Sequence, residues 1–126
     1  VRVPALTPDH EDLRALATPA LVLDRAALER NIATMAEATR RAGVALRPHA
    51  KTHKSPEVAA RQVRAGAVGI ACATVAEAEA LAGAGIGGLL LTTPLMGAAK
   101  FARVAALNRS GDVAVVVDHA AQVEGF

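Results

Sequence analysis

Four apolar runs, "VALRPHA", "VGIACA", "GGLLLTT" and "DVAVVVD", set the terms for this chain. Their strands begin near Val44, Val68, Leu89 and Val113, at separations of 24, 21 and 24 residues. That spacing suits consecutive strand–helix units with short connections. Each run is continuously apolar instead of alternating, which predicts a parallel sheet covered on both faces. Helix signals fill the gaps. Leu28, Ile32 and Met35 recur at helical spacing over 25–42, with Asp24 placed to cap the start and Gly43 to end it. Ser55 and Pro56 suit the N-cap and first position of a second helix, and Gly66 its exit. "TVAE" at Thr74 reads as a capping box for a third, which Gly83 and Gly85 close. A fourth, "GAAKFARVAALNRSG", turns Phe101, Val104 and Ala105 inward, and "HAAQVEGF" begins a fifth.

The fold class is α/β. Periodicity alone fits either a doubly wound sheet or part of a (β/α)8 TIM-type barrel. A closed barrel takes about 250 residues, so four units in a chain of 126 residues read as the first half of one. Residues 1–17 read as a leader segment and 18–126 as the half-barrel.

Composition excludes several classes of function. With 52% hydrophobic and 21% charged residues the chain is built for a packed core. A net charge of +2, no Trp, no Tyr and two Phe argue against nucleic-acid binding. The N-terminal "VRVPALTPDHEDLRALATP" lacks an apolar core of signal-peptide length, and no later run approaches a membrane span. The single Cys72 precludes an internal disulfide and reads as a buried thiol. A cytoplasmic protein is expected.

The chemistry gathers in "RPHAKTHK", Arg47 to Lys54. If the backbone stays extended, His49, Lys51 and His53 share one face. Lys51 also falls at the carboxyl end of the first strand, where active groups of parallel α/β folds collect. The charges of Arg47 and Lys54, with partial burial in a barrel mouth, should lower the Lys51 pKa toward neutrality, which suits a Schiff base. The plainer reading is a solvated basic turn. As metal ligands His49 and His53 are poorly placed, lying about 13 Å apart on an extended segment. A second-shell or substrate-side role is expected for His53, and for His49 support of a cofactor or a neighbouring strand. Thr74, Thr92 and Asp118 also lie at strand ends, but read more simply as helix N-caps or turn residues. "AGAGIGG", Ala82 to Gly88, precedes a strand where a dinucleotide fingerprint must follow one, and reads as a helix exit. No convincing phosphate loop is present.

"RPHAKTHK" resembles the lysine motif of the D-threonine aldolase and D-serine dehydratase family, fold-type III pyridoxal-phosphate enzymes that share the alanine-racemase barrel. The resemblance extends through "TPALVLD" at Thr18 to Asp24, "ALERNI", "AVGIACATVAEAEAL" and "VVVDHAAQVE". It implies that Lys51 holds pyridoxal 5'-phosphate as a Schiff base and later transfers protons; from their place beside it, His49 is expected on the cofactor side and His53 as a further catalytic group. It implies a divalent metal (Mn, Mg or Zn) bound by a C-terminal β-domain that lies beyond this half-barrel, and a homodimer. The expected activity is a lyase on D-configured β-hydroxy amino acids. Retro-aldol cleavage to glycine and an aldehyde stands first, dehydration with loss of ammonia second, and a non-catalytic cofactor carrier third. The 126 residues alone are expected to be inactive.

Overall fold

The structure, a computed structural model, describes residues 16–126. The expected leader over 1–17 therefore lies, but for its last two residues, outside the described residues. Five helices and three strands follow: α1 (Arg25–Arg41), α2 (Pro56–Arg64), β1 (Ile70–Cys72), α3 (Val75–Gly83), β2 (Leu89–Leu91), α4 (Ala98–Ser110), β3 (Val113–Val115) and α5 (Ala120–Gly125). A single 3-10 turn, Ala50–Thr52, stands between α1 and α2.

The local signals did their work where they are purely local. Asp24 accepts a hydrogen bond from the Ala27 amide at 2.9 Å, and Ser55 accepts from Val58 at 3.3 Å with Pro56 at the first helical position. Each cap satisfies one of the orphan amides that begin any helix. Gly43 follows α1 at φ 66°, a conformation that favours glycine. In α4, Val104 is buried and Phe101 packs beside it as expected. Ala105 is exposed, and Leu107 takes the inward position instead.

The strands are parallel and lie in the order β1-β2-β3. Their registers align Ile70 with Leu89 and Val113, Ala71 with Leu90 and Ala114, and Cys72 with Leu91 and Val115. Side chains alternate across a strand. Ile70, Cys72, Leu89 and Leu91 face Val75, Ala78 and Leu81 of α3 and Val104 of α4, forming the buried core. Ala71, Leu90 and Ala114 therefore share the opposite face. α3 packs against both α2 and α4, so these helices form one layer on one side of the sheet. Sequential strand order with helices on one side is a sector of a barrel; a doubly wound sheet places helices on both faces. The expected covering of both faces is thus corrected: helices cover one, and mostly small side chains line the other.

The "VALRPHA" run departs most from expectation. It forms no ladder, only an isolated parallel bridge between His49 and Ala71. Its carbonyls accept well, with Val68 N to Leu46 O at 2.9 Å and Ala71 N to Pro48 O at 2.8 Å. Pro48 has no N–H to return, and a ladder needs both directions. The chain then turns at Ala50, which is buried in the core at 1% exposure and pins the turn to the sheet.

At the opposite ends of the strands two backbones touch. A Cβ at Gly69 would stand 1.9 Å from Gly88 O, so only glycine lets β1 and β2 approach there. α1 buries none of its residues against the described chain. Arg61 of α2 reaches Glu29 of α1 at 3.0 Å, an exposed pair of small energetic value.

Candidate active site

Lys51 sits in the 3-10 turn, not at the end of a regular strand. His49 Nδ1 accepts from the Lys51 amide at 3.2 Å, capping the turn. Ala50 O accepts from His53 N at 3.1 Å and Lys54 N at 2.7 Å, and the Thr52 hydroxyl donates to His49 O at 3.3 Å. The turn ends the alternation on which a shared face for His49, Lys51 and His53 depended. His49 keeps an extended backbone and, bridged to Ala71, belongs to the helix-free face. His53 closes the turn in the αR region, and Lys54 follows at φ 48°.

The three expected site residues meet different surroundings. Lys51 is exposed, and among the described residues its Nζ enters no hydrogen bond or ion pair. His49 Nε2 lies 3.1 Å from Thr92 Oγ1. Thr92 Oγ1 in turn donates to Cys72 O at 3.1 Å, while the Thr92 amide donates to the same carbonyl at 3.0 Å. This sequence of bonds crosses the carboxyl ends of β1 and β2 and ends at the Lys51 amide. His53 Nδ1 accepts from the Ser55 amide at 3.0 Å, and its buried Nε2 has the Gln62 side chain as polar neighbour, outside ordinary hydrogen-bond geometry. Burial pushes the His53 imidazole below its ordinary pKa, because the charged ring loses its water.

The two cations expected to crowd Lys51 are engaged elsewhere. Lys54 Nζ donates to Glu77 Oε1 at 2.9 Å. Arg47 donates to Gly88 O, before β2, at the end of the strands away from the turn. Glu77 also accepts from the Ala73 amide at 2.8 Å and donates its own amide to Thr74 Oγ1 at 3.2 Å. The capping box thus forms, with its carboxylate reaching Ala73 instead of Thr74 itself. The Lys54 ammonium, then the Ala73 amide, hold the Glu77 carboxyl below the usual carboxylate range.

Of the other strand-end residues, Thr74 is the N-cap of α3 as read. Thr92 is not a helix cap; Gly97 holds the N-cap position of α4, and the Thr92 hydroxyl instead joins His49 to β1. Asp118 yields the α5 cap to His119, whose Nδ1 accepts from Ala121 at 3.1 Å. Asp118 pairs with the buried Gln122 through its own amide and its carboxylate, each at 2.8 Å. Burial pushes the Cys72 thiol up to about 11, leaving it a packing group and not a nucleophile.

A covalently held carbonyl cofactor needs an accessible amine at a strand tip, and one is here. Lys51 supplies the amine, and Ala71 and Ala114 are two of the three in-register side chains on the helix-free face. At the start of α3 the Glu77 amide donates to the Thr74 hydroxyl, and the Ala73 amide just before the helix donates to the Glu77 carboxylate. Among the described residues no group of three or more His, Cys, Asp or Glu side chains could hold a metal ion. None of the described helices is long and apolar enough to cross a membrane.

Known proteins are similar to this chain in sequence and fold. The chain is 41% identical to a D-threonine aldolase from Arthrobacter sp over 95% of its own length and 32% of the relative's. The crystal structure of D-threonine aldolase from Filomicrobium marinum superposes with a TM-score of 0.88 at 42% identity, covering 90% of this chain and 31% of that one. D-threo-3-hydroxyaspartate dehydratase from Delftia sp. HT23 gives 0.80 at 40% identity, covering 87% and 29%; a mutant of a protein of that name has been solved in a metal-free form. The chain spans about a third of the length of these relatives. The model of the family described as alanine racemase, N-terminal domain, matches residues 23–126, and this chain belongs to that family.

Proposed function

We propose that the protein is a pyridoxal-phosphate-dependent lyase acting on D-configured β-hydroxy amino acids, with retro-aldol cleavage as its reaction. One observation carries this: Lys51 presents an unpartnered amine on a turn pinned to the carboxyl ends of parallel strands. Bound there, the cofactor supplies an electron sink for the charge left when a bond at the substrate Cα breaks. Lys51 Nζ is the attachment point and afterwards a proton carrier. The α2–α4 layer covers the back of the sheet, and cofactor and substrate would approach from the helix-free side. Any acid–base part for His53 must run through Nε2, since Nδ1 is committed to Ser55. The support His49 gives the cofactor is indirect, because both its ring nitrogens are engaged.

A divalent metal (Mn, Mg or Zn) belongs to this proposal; the described residues offer no ligand set for it, so no step is drawn through one. A homodimer and a cytoplasmic location complete the reading.

The test uses the full-length protein. Pyridoxal phosphate is added, borohydride applied, and the modified lysine mapped by mass spectrometry; label on a lysine other than Lys51 overturns the assignment. D-Threonine and D-serine are then compared with and without a chelator. Glycine and acetaldehyde mark aldol cleavage. Pyruvate and ammonia from D-serine mark dehydration, the second reading, favoured by a similarity to the dehydratase almost as high as to the aldolases. Stoichiometric cofactor without turnover marks a carrier.

A further inference from the structure

We propose that His49 is a positioning residue for Lys51, locked in a single tautomer by Thr92, which lies just past β2 across the tip of β1. The inference rests on reading Lys51 as the cofactor's lysine. A backbone carbonyl can only accept, so the one hydroxyl proton of Thr92 goes to Cys72 O, 3.1 Å away. Oγ1 then presents a lone pair to His49 Nε2 at 3.1 Å, and Nε2 must carry the proton. The other end of the ring agrees with this assignment through a longer, local contact that does not hold the tautomer alone. The Lys51 amide donates to Nδ1 at 3.2 Å, which requires Nδ1 to be bare. Two contacts from opposite sides thus select the neutral Nε2–H imidazole.

The place in the fold gives this arrangement its effect. Cys72 is the last residue of β1, Thr92 follows the last residue of β2, and His49 is bridged to Ala71. The side-chain bonds run across the strand tips, where the backbone ladders have stopped. They hold the amide of Lys51, and with it the direction in which the lysine side chain leaves the turn, to a residue 43 positions beyond His49. Thr92→Val keeps the shape and removes the acceptor. The imidazole is then free to exchange tautomers, and the Lys51 amide loses its partner for part of the time.

Full-length apoprotein labelled with 15N-histidine reads the tautomer directly by two-bond proton–nitrogen correlation. His49 is expected to show the Nε2–H pattern, Thr92→Val an averaged one, and Thr92→Ser the original. With pyridoxal phosphate added, the rate of cofactor capture should fall roughly tenfold in Thr92→Val, the low end for losing a group that orients a reactive one, and recover in Thr92→Ser. His49→Asn, whose side-chain oxygen can still cap the Lys51 amide but cannot reach Thr92, should lie between. An Nδ1–H or doubly protonated His49 in the wild-type apoprotein at neutral pH overturns the proposal. So does a Thr92→Val protein with unchanged tautomer and capture rate. Should Thr92→Val fail to fold, the wild-type tautomer and the His49→Asn capture rate still decide: a rate equal to the wild type's overturns the positioning role. Borohydride label on another lysine strikes the Lys51 reading alone, since the tautomer is measured without cofactor.

Discussion

Lys54 Nζ and Glu77 Oε1, 23 residues apart in sequence, meet at 2.9 Å and join the turn that carries Lys51 to the start of α3. The two ends of the pair differ: the Lys54 side chain is 70% exposed and that of Glu77 only 12%. The ion pair alone therefore contributes little, whereas the bond from the Ala73 amide to the shielded carboxylate contributes more. Glu77→Ala should cost about 1–2 kcal/mol by denaturant unfolding, and Lys54→Ala well under half of that. Equal losses in the two variants would contradict this division.

The same carboxylate sets an acid limit. Its folded pKa is lowered by Lys54 and Ala73, so its contribution is present above the unfolded value of about 4.3 and lost as pH falls through the folded one. Thermal melts of the wild type and Glu77→Gln should differ at pH 7 and converge as the pH falls through the folded pKa of this carboxyl, below the usual carboxylate range.

His53 acts in the opposite pH direction to a histidine that gains a partner. Burial lowers its folded pKa, so the folded state resists a proton that the unfolded chain accepts. Its stability contribution is present above the unfolded value of about 6.5 and lost as pH falls from there toward the folded pKa. Replacing His53 with Gln should flatten the decline in Tm between pH 7 and pH 5; an unchanged slope would place its cause elsewhere.

Gly69 admits no side chain. With Gly88 O 1.9 Å from any Cβ, Gly69→Ala must push β1 from β2 at the point where Ile70 N donates to Gly88 O at 3.2 Å. A loss of about 3 kcal/mol is expected, at the upper end for forced overpacking. Gly43→Ala, which meets no atom within 4 Å but sits at φ 66°, should cost only about 1 kcal/mol. Chemical denaturation of the two variants checks the order.

Lys51→Ala should separate chemistry from folding. The side chain is exposed and without a partner among the described residues, so stability should change by less than about 0.5 kcal/mol. Cofactor labelling after borohydride should vanish. A large loss of stability would mean that the amine serves the fold.

What was legible in the sequence was what is decided within a few residues or by repetition. Asp24, Ser55 and Thr74 cap the helices they precede, and the spacing of apolar runs gave the alternation of parallel strands and helices, with the half-barrel following from chain length. The strand before Lys51 was over-read because its apolar pattern hides the missing donor of Pro48, and the early turn at Ala50 follows from burial that no local pattern marks. His119 displaced Asp118 as a cap because Asp118 was drawn to Gln122, a competition between two adjacent acceptors. Thr92 was misjudged for a different reason: its partner His49 is 43 residues away, and only the assembled sheet brings them together. The helix-covered face could not be chosen from runs that are apolar at every position.

That choice of face has a consequence for engineering. At the level of Ala71, Leu90 and Ala114, two of three positions contribute only a methyl group to the side opposite the helices, and Ala114 is exposed. Steric capacity on that side can therefore be tuned independently of the hydrophobic interior. Ala114→Leu would narrow the space beneath the strand tips and leave Ile70, Leu89 and Leu91 untouched, turning one level of the sheet into an adjustable floor.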